Sequence, residues 1–279
     1  MSGAPESGPS KADRAAAEEP RSQGELLELA VSLARDAGAL LLERFDGGRE
    51  RALSSKTSPT DPVSEADLAS ERLIRERLAL ARPADGFLGE EGGGEEGSSG
   101  LTWVVDPLDG TVNFLFSIPQ WCVSVAVQDD AGPLAGAIFD PCRNELFVAT
   151  RDGSSLLNGS PIEASAREDL ATAMVATGLA YDADVRAAQA EVLARVVPRV
   201  RDIRRFGSAA LDLTWTAAGR YDAYFERSVK QWDVAAGALI CERAGLLVRE
   251  LPVHHNLPWG ILVARPGLVD QLLEIVSGP

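Results

Sequence analysis

The sequence has little histidine and little cysteine for its 279 residues: the histidines are His254 and His255, and the cysteines are Cys122, Cys142 and Cys241. Zinc sites and Ser-His-Asp triads draw on such side chains, so both kinds of chemistry have little material here. The cysteines are odd in number and lack metal-ligand spacing, which is typical of mostly buried thiols in a reducing compartment. We expect the adjacent histidines to lie on a loop surface and not to bind metal.

Long apolar runs are also missing. No stretch of about 18 or more uncharged apolar residues occurs, so no membrane-spanning helix is predicted. The N-terminus has no apolar core of the kind that secretory signal peptides carry. Residues 1–23 are rich in Ala, Gly, Ser, Pro and Glu without apolar periodicity, and this composition predicts a disordered tail. These features together favour a cytoplasmic protein.

Positive charge is scarce. Lysine and arginine number 27 against 42 acidic residues, which gives a net charge of −15 and a pI near 4.6. Such a surface repels phosphate backbones and argues against nucleic acid as a partner. An acidic protein that binds phosphate must screen this field locally, and bound divalent cations would do so. The length and a hydrophobic fraction of 45% suffice for one large domain or two lobes.

The most informative stretch is residues 103–114, WVVDPLDGTVNF. Its apolar, β-branched start predicts a short buried strand that ends on Asp106, where Pro107 interrupts the ladder. Asp109 follows, and residues 110–111 open a predicted helical turn. Carboxylates and a carbonyl oxygen suit a hard cation such as Mg²⁺, and free N–H groups at a helix start suit a phosphate oxygen. A strand with an Asp-capped turn is the simpler alternative, but the fixed order of residues favours phosphoryl chemistry.

This stretch resembles the metal-binding signature of the inositol monophosphatase family, the magnesium-dependent, lithium-sensitive phosphatases. Four motif elements of that family occur in the expected order between about residues 25 and 276. The resemblance implies an α+β or α/β fold, specifically a layered αβαβα sandwich of the inositol monophosphatase and fructose-1,6-bisphosphatase type. It also implies that the protein is usually a homodimer.

Residues 56–67 resemble the family's Lys…Asp-x-Val-Thr-x-x-Asp element. The resemblance implies that Asp67 hydrogen-bonds Thr111, that this pair orients the attacking water, and that Lys56 lies near the metals. From the residues alone, Asp61 and Asp67 would serve equally well as capping and turn residues.

Residues 87–92, FLGEEG, resemble the family's second metal element. The resemblance implies that Glu90 bridges metal ions and that Glu91 contacts a metal ligand or reaches the metal through a water molecule. The alternative is an exposed acidic loop. The Gly/Ser-rich run over residues 92–100 predicts a solvated flexible loop whose acidic pair binds no metal.

Two further elements lie in the second half of the chain. Trp232 and Asp233, followed by small residues, resemble the family element whose aspartate binds metal, so Asp233 is an implied ligand; a helix N-terminal aspartate is the alternative. Glu226 matches the family glutamate that accepts a sugar hydroxyl. The two arginines before the implied pocket segment are assigned no phosphate contact. That segment, which resembles the lining of the family's polyol pocket, consists of Gly207, Ser208 and Ala209.

Periodicity predicts helices over residues 25–45 and 65–81, and β-rich runs between 120 and 150 predict an antiparallel meander. From residue 170 onward strands and helices alternate, which favours an α/β lobe. We therefore predict a disordered tail over 1–23, an N-terminal α+β lobe with most metal ligands over 24–160, and a C-terminal α/β lobe with the substrate pocket and the last ligand over 161–279.

No histidine or cysteine nucleophile lies in the motifs, so direct attack by a metal-activated water is the economical mechanism. Metal ions lower the pKa of bound water and stabilise charge on the attacking and leaving oxygens. Thr111 would position that water, and the N–H groups of Gly110 and Thr111 would hold a phosphate oxygen beside Asp109. The implied cofactor is two or three Mg²⁺ ions, held by Glu90, Asp106, the Leu108 carbonyl, Asp109 and Asp233.

The resemblance implies hydrolysis of inositol monophosphate, with myo-inositol 1-phosphate as the expected substrate. Fructose 1,6-bisphosphate, histidinol phosphate and 3'-phosphoadenosine 5'-phosphate are alternatives that the same chemistry would serve. A second class of function is a regulatory protein, such as a transcription or ribosome factor, that binds a partner while its catalysis is incidental. The intact ligand set argues against a purely non-enzymatic role, and the acidic surface argues against direct RNA binding.

Overall fold

Helices and β-sheets alternate in five layers in the structure, a computed structural model that describes residues 22–46, 54–55, 62–63 and 65–277. The predictions made for residues 1–21 and for Lys56 lie outside these ranges. Within them, no helix is both long and apolar enough to cross a membrane.

The elements of the described ranges follow in chain order. The helices are α1 (Gln23–Asp46), α2 (Glu65–Ala81), α3 (Thr111–Leu115), α4 (Ala183–Val196), α5 (Ala209–Ala217), α6 (Gln231–Arg243) and α7 (Pro266–Val276). The strands are β1 (Ser54–Ser55), β2 (Pro62–Val63), β3 (Gly86–Gly89), β4 (Gly93–Glu95), β5 (Thr102–Asp109), β6 (Cys122–Asp129), β7 (Gly132–Asp140), β8 (Glu145–Thr150), β9 (Leu156–Leu157), β10 (Ser160–Pro161), β11 (Met174–Thr177), β12 (Asp202–Arg204), β13 (Ala223–Arg227), β14 (Leu247–Leu251) and β15 (Gly260–Ala264).

The first two layers are the helices α1 and α2 and a large mixed sheet with the strand order β10-β9-β8-β7-β6-β5-β3-β4. Helix α1 has the predicted 3.6-residue period, and the side chains of its apolar face, such as Leu33 and Leu41, are fully buried against the sheet. The predicted antiparallel meander is confirmed as strands β6, β7 and β8.

The middle layer consists of α5 and α6, which lie between the two sheets. Small residues let α6 approach its neighbours closely. A methyl group at Gly136 of β7 would stand 3.0 Å from the Cα of Ala236, and one at Gly237 would stand 2.6 Å from a Leu213 methyl of α5. This tight contact confirms the packing role expected for the small residues behind Asp233.

The last two layers are a smaller sheet, ordered β12-β11-β13-β15-β14, and the helices α4 and α7 on its outer face. Strand β11 pairs in parallel with β12 and β13, while β15 pairs antiparallel with β13 and β14. The layering is therefore α-β-α-β-α, and the predicted sandwich is confirmed. Helix α6 packs on strands of both sheets. The division into two lobes at residue 160 remains a prediction.

The run over residues 92–100 and strand β14 differ from the sequence prediction. The run over residues 92–100, expected to be a flexible loop, contains the edge strand β4, where Glu95 forms a 2.7 Å ion pair with Arg75. Strand β14 was not predicted at all. Its residues are mostly part-exposed, so the apolar alternation that reveals a strand is weak there, and pairing with the buried strand β15 supplies the order instead.

Candidate active site

Strand β5 brings three predicted ligands to one sheet end. It was expected to stop at Asp106, and the structure corrects this: the ladder with β6 shifts register after Asp106 and resumes at Asp109, which pairs with Cys122. Pro107 has no N–H to donate, so the chain bulges around it and pairing continues beyond. The N–H of Leu108 donates to Asp106 Oδ1 over 3.0 Å, which fixes that carboxylate at the bulge.

Gly110 makes the turn that follows possible. Its φ of 98° lies in the left-handed region, and a methyl group there would stand 2.8 Å from the Gln120 carbonyl oxygen. The short helix α3 then begins at Thr111. The glycine therefore places the Thr111 side chain directly after the two aspartates of β5.

Thr111 and Asp67 meet as the resemblance implied. Thr111 Oγ1 donates to Asp67 Oδ1 over 2.8 Å, and both side chains are buried. Helix α2 is also tied to the β5 bulge by Ser70, whose hydroxyl donates to the Pro107 carbonyl over 2.8 Å. The hydroxyl proton of Thr111 is thus directed toward Asp67, and its lone pairs are left to accept from another group.

Asp109 faces the N-terminus of α5. Its Oδ2 accepts from Ser208 Oγ at 2.5 Å and from the N–H of Ala210 at 2.8 Å, and its Oδ1 lies 3.3 Å from the N–H of Ala209. Helix N-termini stabilise negative charge. Ser208, predicted as a substrate contact, is instead fully buried behind Asp109, because its hydroxyl caps α5 and binds that carboxylate.

Asp233 lies in the first turn of α6, where its Oδ2 accepts from the N–H of Lys230 over 2.6 Å. This contact is the capping role that the sequence offered as the alternative to metal binding. The two roles are compatible because a carboxylate has about four lone-pair sites.

The loop that carries Glu90 is fastened by a side chain that the sequence reasoning missed. Glu71 of α2 accepts the N–H of Glu91 at 2.9 Å and the Nε–H of Arg75 at 2.9 Å. A methyl group at Gly92 would lie 2.5 Å from the Glu71 carboxylate, so the loop backbone packs directly on it. The Glu71–Arg75 spacing of i,i+4 is common on helix surfaces, and this ordinary pattern gave no sign of the role.

The acidic side chains strongly affect one another. Burial raises the pKa of Asp106 well above its ordinary value, and the charges of Glu90, Asp109 and Asp233 raise it further. Burial also raises the pKa of Asp233, again with Glu90 and Asp109 adding to it. For Asp109 burial raises the pKa, and the hydrogen bonds from α5 partly oppose that shift. A bound cation would relieve this repulsion.

The predicted ligands are not assembled as a coordination sphere. Among the described residues, no group of three or more His, Cys, Asp or Glu side chains forms a ready-made metal site. Asp109 accepts hydrogen bonds from the start of α5, and Asp233 accepts one from the N–H of Lys230. The donors nevertheless fit a hard divalent cation in chemistry, since all are oxygen atoms and their charges repel one another without one.

A cavity of about 320 Å³ lies in front of these groups. Asp67, Glu91 and Ser208 do not line it; Asp67 and Ser208 act from behind, through their hydrogen bonds to Thr111 and Asp109. The predicted residues that do line it are Glu90, Asp106, Leu108, Asp109, Gly110, Thr111, Gly207, Ala209, Glu226 and Asp233.

The cavity wall also contains Glu226 and Arg205, one of the two arginines to which the sequence assigned no phosphate contact. The Tyr224 hydroxyl donates to Glu226 Oε2 over 2.9 Å, and burial raises the pKa of Glu226 to about 7. Arg205 opposes that rise with its positive charge and folds back over Gly207, whose φ is 84°.

Buried carboxylates, a hydroxyl held by a carboxylate and a cavity lined by acidic side chains on a layered fold are typical of an enzyme of phosphate-ester chemistry. The chain belongs to the inositol monophosphatase family, whose model matches residues 22–267. This is a family of generally metal-dependent phosphatases.

Individual relatives agree with this assignment. An inositol-1-monophosphatase of Mycobacterium leprae is 43% identical over 272 residues, which cover 89% of this chain and 92% of the relative. A Nus factor SuhB of Escherichia coli K12 is 36% identical over 252 residues and 89% and 94% of the two chains. The crystal structure of an extragenic suppressor protein suhB from Bartonella henselae superimposes with a TM-score of 0.83 at 34% identity, over 90% of this chain and 98% of that one.

Proposed function

We propose that this protein is a Mg²⁺-dependent phosphomonoesterase that hydrolyses myo-inositol 1-phosphate to inositol and phosphate by direct attack of water. The observation that carries the proposal is the Thr111–Asp67 hydrogen bond at the edge of a cavity lined by mutually repelling carboxylates. The name of the Mycobacterium leprae relative supports the substrate.

Two or three Mg²⁺ ions would be held by Glu90, Asp106, the Leu108 carbonyl, Asp109 and Asp233. When bound, they would lower the pKa of water and neutralise charge on the phosphate. Without a nearby cation, burial and the neighbouring negative charges disfavour ionisation of Asp106. Metal binding and deprotonation of Asp106 should therefore be coupled.

The chain itself orients the reacting groups. Thr111 donates to Asp67, so the lone pairs of the Thr111 hydroxyl can accept a proton of the attacking water and aim its oxygen at phosphorus. The N–H groups of Gly110 and Thr111 at the start of α3 would bind a phosphate oxygen. Glu226 would accept a ring hydroxyl, while Gly207 and Ala209 shape the polyol part of the cavity.

The experiment is phosphate release from a panel of myo-inositol 1-phosphate, fructose 1,6-bisphosphate, histidinol phosphate and 3'-phosphoadenosine 5'-phosphate. Each is assayed with Mg²⁺, with EDTA and with added lithium. Mg²⁺-dependent, lithium-inhibited release that prefers inositol 1-phosphate supports the proposal, and preference for another compound would replace the substrate but keep the mechanism. Asp106→Asn should abolish release, while the exposed turn variant Asp130→Asn should retain it.

The relative named Nus factor SuhB favours a second candidate, a regulatory role exerted by binding a partner in the cytoplasm. The two candidates separate genetically. If Asp106→Asn abolishes phosphate release yet fully restores the growth of a strain that lacks this protein, partner binding is the principal function. If Asp106→Asn fails to restore growth while Asp130→Asn succeeds, catalysis is the principal function. A homodimer, which the family resemblance implies, would be seen by sedimentation equilibrium.

A further inference from the structure

The Glu226 carboxyl group lies directly on the backbone of Gly178. Strands β11 and β13 are parallel neighbours, with Thr177 opposite Phe225, so the next residue of each chain, Gly178 and Glu226, also stand side by side. A methyl group built at Gly178 would overlap all three atoms of the Glu226 carboxyl group. The carboxyl plane therefore lies flat in the space that a side chain at position 178 would occupy.

The backbone of Gly178 does not itself require glycine. The glycines with positive φ in the described residues are at other positions, so an alanine at 178 would meet no conformational strain of its own. The nearest obstacle to a side chain at this position is the Glu226 carboxyl group, to which the three nearest atoms all belong.

A second contact fixes the same carboxyl group from the protein interior. Tyr224 is fully buried, and its hydroxyl donates to Glu226 Oε2 over 2.9 Å. The Tyr224 hydrogen bond and the contact with the Gly178 backbone together hold the group in one orientation. Oε1 is then the oxygen left for a ligand in the cavity that Glu226 lines.

We infer that Gly178 is a positioning residue for substrate selection: its missing side chain seats the Glu226 carboxyl group, which Tyr224 orients, to accept a hydroxyl group of a polyol monophosphate. The inference rests on the proposed function, because it assigns Glu226 a hydroxyl of the substrate. Substrate selection would then depend on the space that Gly178 leaves beside Glu226, and a methyl group that fills this space would remove it.

The steric part is tested without any activity. Gly178→Ala should lower the melting temperature in the natural sequence and lower it much less in a Glu226→Ala background, where the methyl group has room. Gly24→Ala, a glycine of α1 whose added methyl would meet only Ser22 at 3.7 Å, is the matched control and should cost nothing in either background. An equal loss in both backgrounds for Gly178→Ala would overturn the contact.

The selective part is tested by kinetics with Mg²⁺ present. For inositol 1-phosphate, Gly178→Ala should raise KM about 10-fold or more while kcat changes little, because a hydrogen bond to a charged group is lost. Tyr224→Phe should act in the same direction. With p-nitrophenyl phosphate, which has no polyol, both variants should match the natural protein. Adding Gly178→Ala to Glu226→Ala should raise KM no further.

The outcomes separate this inference from the function it rests on. A raised KM for Glu226→Ala beside a normal KM for Gly178→Ala would overturn the inference and leave the polyol pocket intact. A normal KM for Glu226→Ala would overturn the pocket assignment and the inference with it. An equal effect of Gly178→Ala on p-nitrophenyl phosphate would show general damage to the site and would also overturn the inference.

Discussion

Thr111 and Asp67 are 44 residues apart in the chain, yet the Thr111 hydroxyl donates to the Asp67 carboxylate over 2.8 Å in the buried space between α2 and α3. The same hydroxyl lies 3.1 Å from the Leu108 carbonyl oxygen, one of the implied metal ligands. One hydroxyl group thus links the helix that carries Asp67 to the bulge that carries the implied metal ligands. In the proposed mechanism it aligns the attacking water.

Removing that link should reduce catalysis. We expect Thr111→Val, which keeps the shape of threonine, to lower kcat about 100-fold or more, because the water loses its orienting acceptor. Thr111→Ser, which keeps the hydroxyl, should retain most activity. Thr172→Val is the matched control, since Thr172 bonds Asp169 far from the cavity. Near-normal kcat for Thr111→Val would contradict the assigned role.

Glu71 should control metal affinity without touching metal. Glu71→Gln weakens the contacts to Arg75 and to the N–H of Glu91, and this should loosen the loop that carries Glu90. Supporting contacts of this kind typically change metal affinity about 10-fold or more. We expect the half-saturating Mg²⁺ concentration to rise by that factor, in activity and in Mg²⁺-induced thermal stabilisation. Glu76→Gln, exposed on the same helix, should leave both unchanged.

Asp212 should make the protein less stable as pH rises. It is fully buried on α5, and neither carboxyl oxygen has a hydrogen-bond partner among the described residues. Burial, followed by the charges of Glu226 and Asp109, raises its pKa well above the ordinary value. The folded protein therefore keeps a proton that the unfolded chain loses above about pH 4, so folding stability falls between that pH and the raised pKa.

Asp212→Asn removes this pH dependence. The melting temperature of Asp212→Asn, measured in EDTA, should exceed that of the natural protein by an amount that grows from pH 5 to pH 8, because the variant has no proton to lose. Asp130→Asn, exposed in a turn, should show a constant difference near zero. A difference that stays constant from pH 5 to pH 8 would mean that Asp212 is already ionised in the folded protein.

Arg205 should tune substrate binding through Glu226. The pKa of Glu226 is raised to about 7, and an ionised carboxylate accepts hydroxyl protons better than a protonated one, so KM for inositol 1-phosphate should fall as pH rises through about 7. Arg205→Ala removes a charge that lowers this pKa, so the fall in KM should move to higher pH. Arg201→Ala, on the same segment but bonded to Thr172, is the control. An unshifted profile in Arg205→Ala would contradict the coupling.

The sequence predicted features that depend on residues close together in the chain or on a regular residue pattern. The implied ligands of β5 lie within four consecutive residues, so their joint position followed from one motif. The layered sandwich followed from the family resemblance, while helix α1 and the meander β6–β8 followed from periodicity. Apart from the layering, each of these features depends on residues that are close in the chain.

Contacts that depend on the packed tertiary structure could not be predicted. Ser208 reaches Asp109 across 99 residues, so a serine in a pocket motif proved to be a buried partner of a carboxylate. In the sequence, Glu71 has only the spacing of an ordinary ion pair with Arg75 on a helix. Its role in holding the loop of Glu91 depends on tertiary packing. Strand β14 gains its order from β15 and has little pattern of its own.

A Mg²⁺ titration of EDTA-treated protein tests the central claim most directly, with phosphate release from inositol 1-phosphate and the melting temperature followed in parallel. Repulsion between carboxylates such as Asp106 and Asp233 predicts that activity and melting temperature rise together over the same Mg²⁺ range, and that Asp106→Asn loses the activity and weakens the thermal response. Release that is undiminished in EDTA, or a melting temperature that Mg²⁺ leaves unchanged while activity appears, would contradict the account.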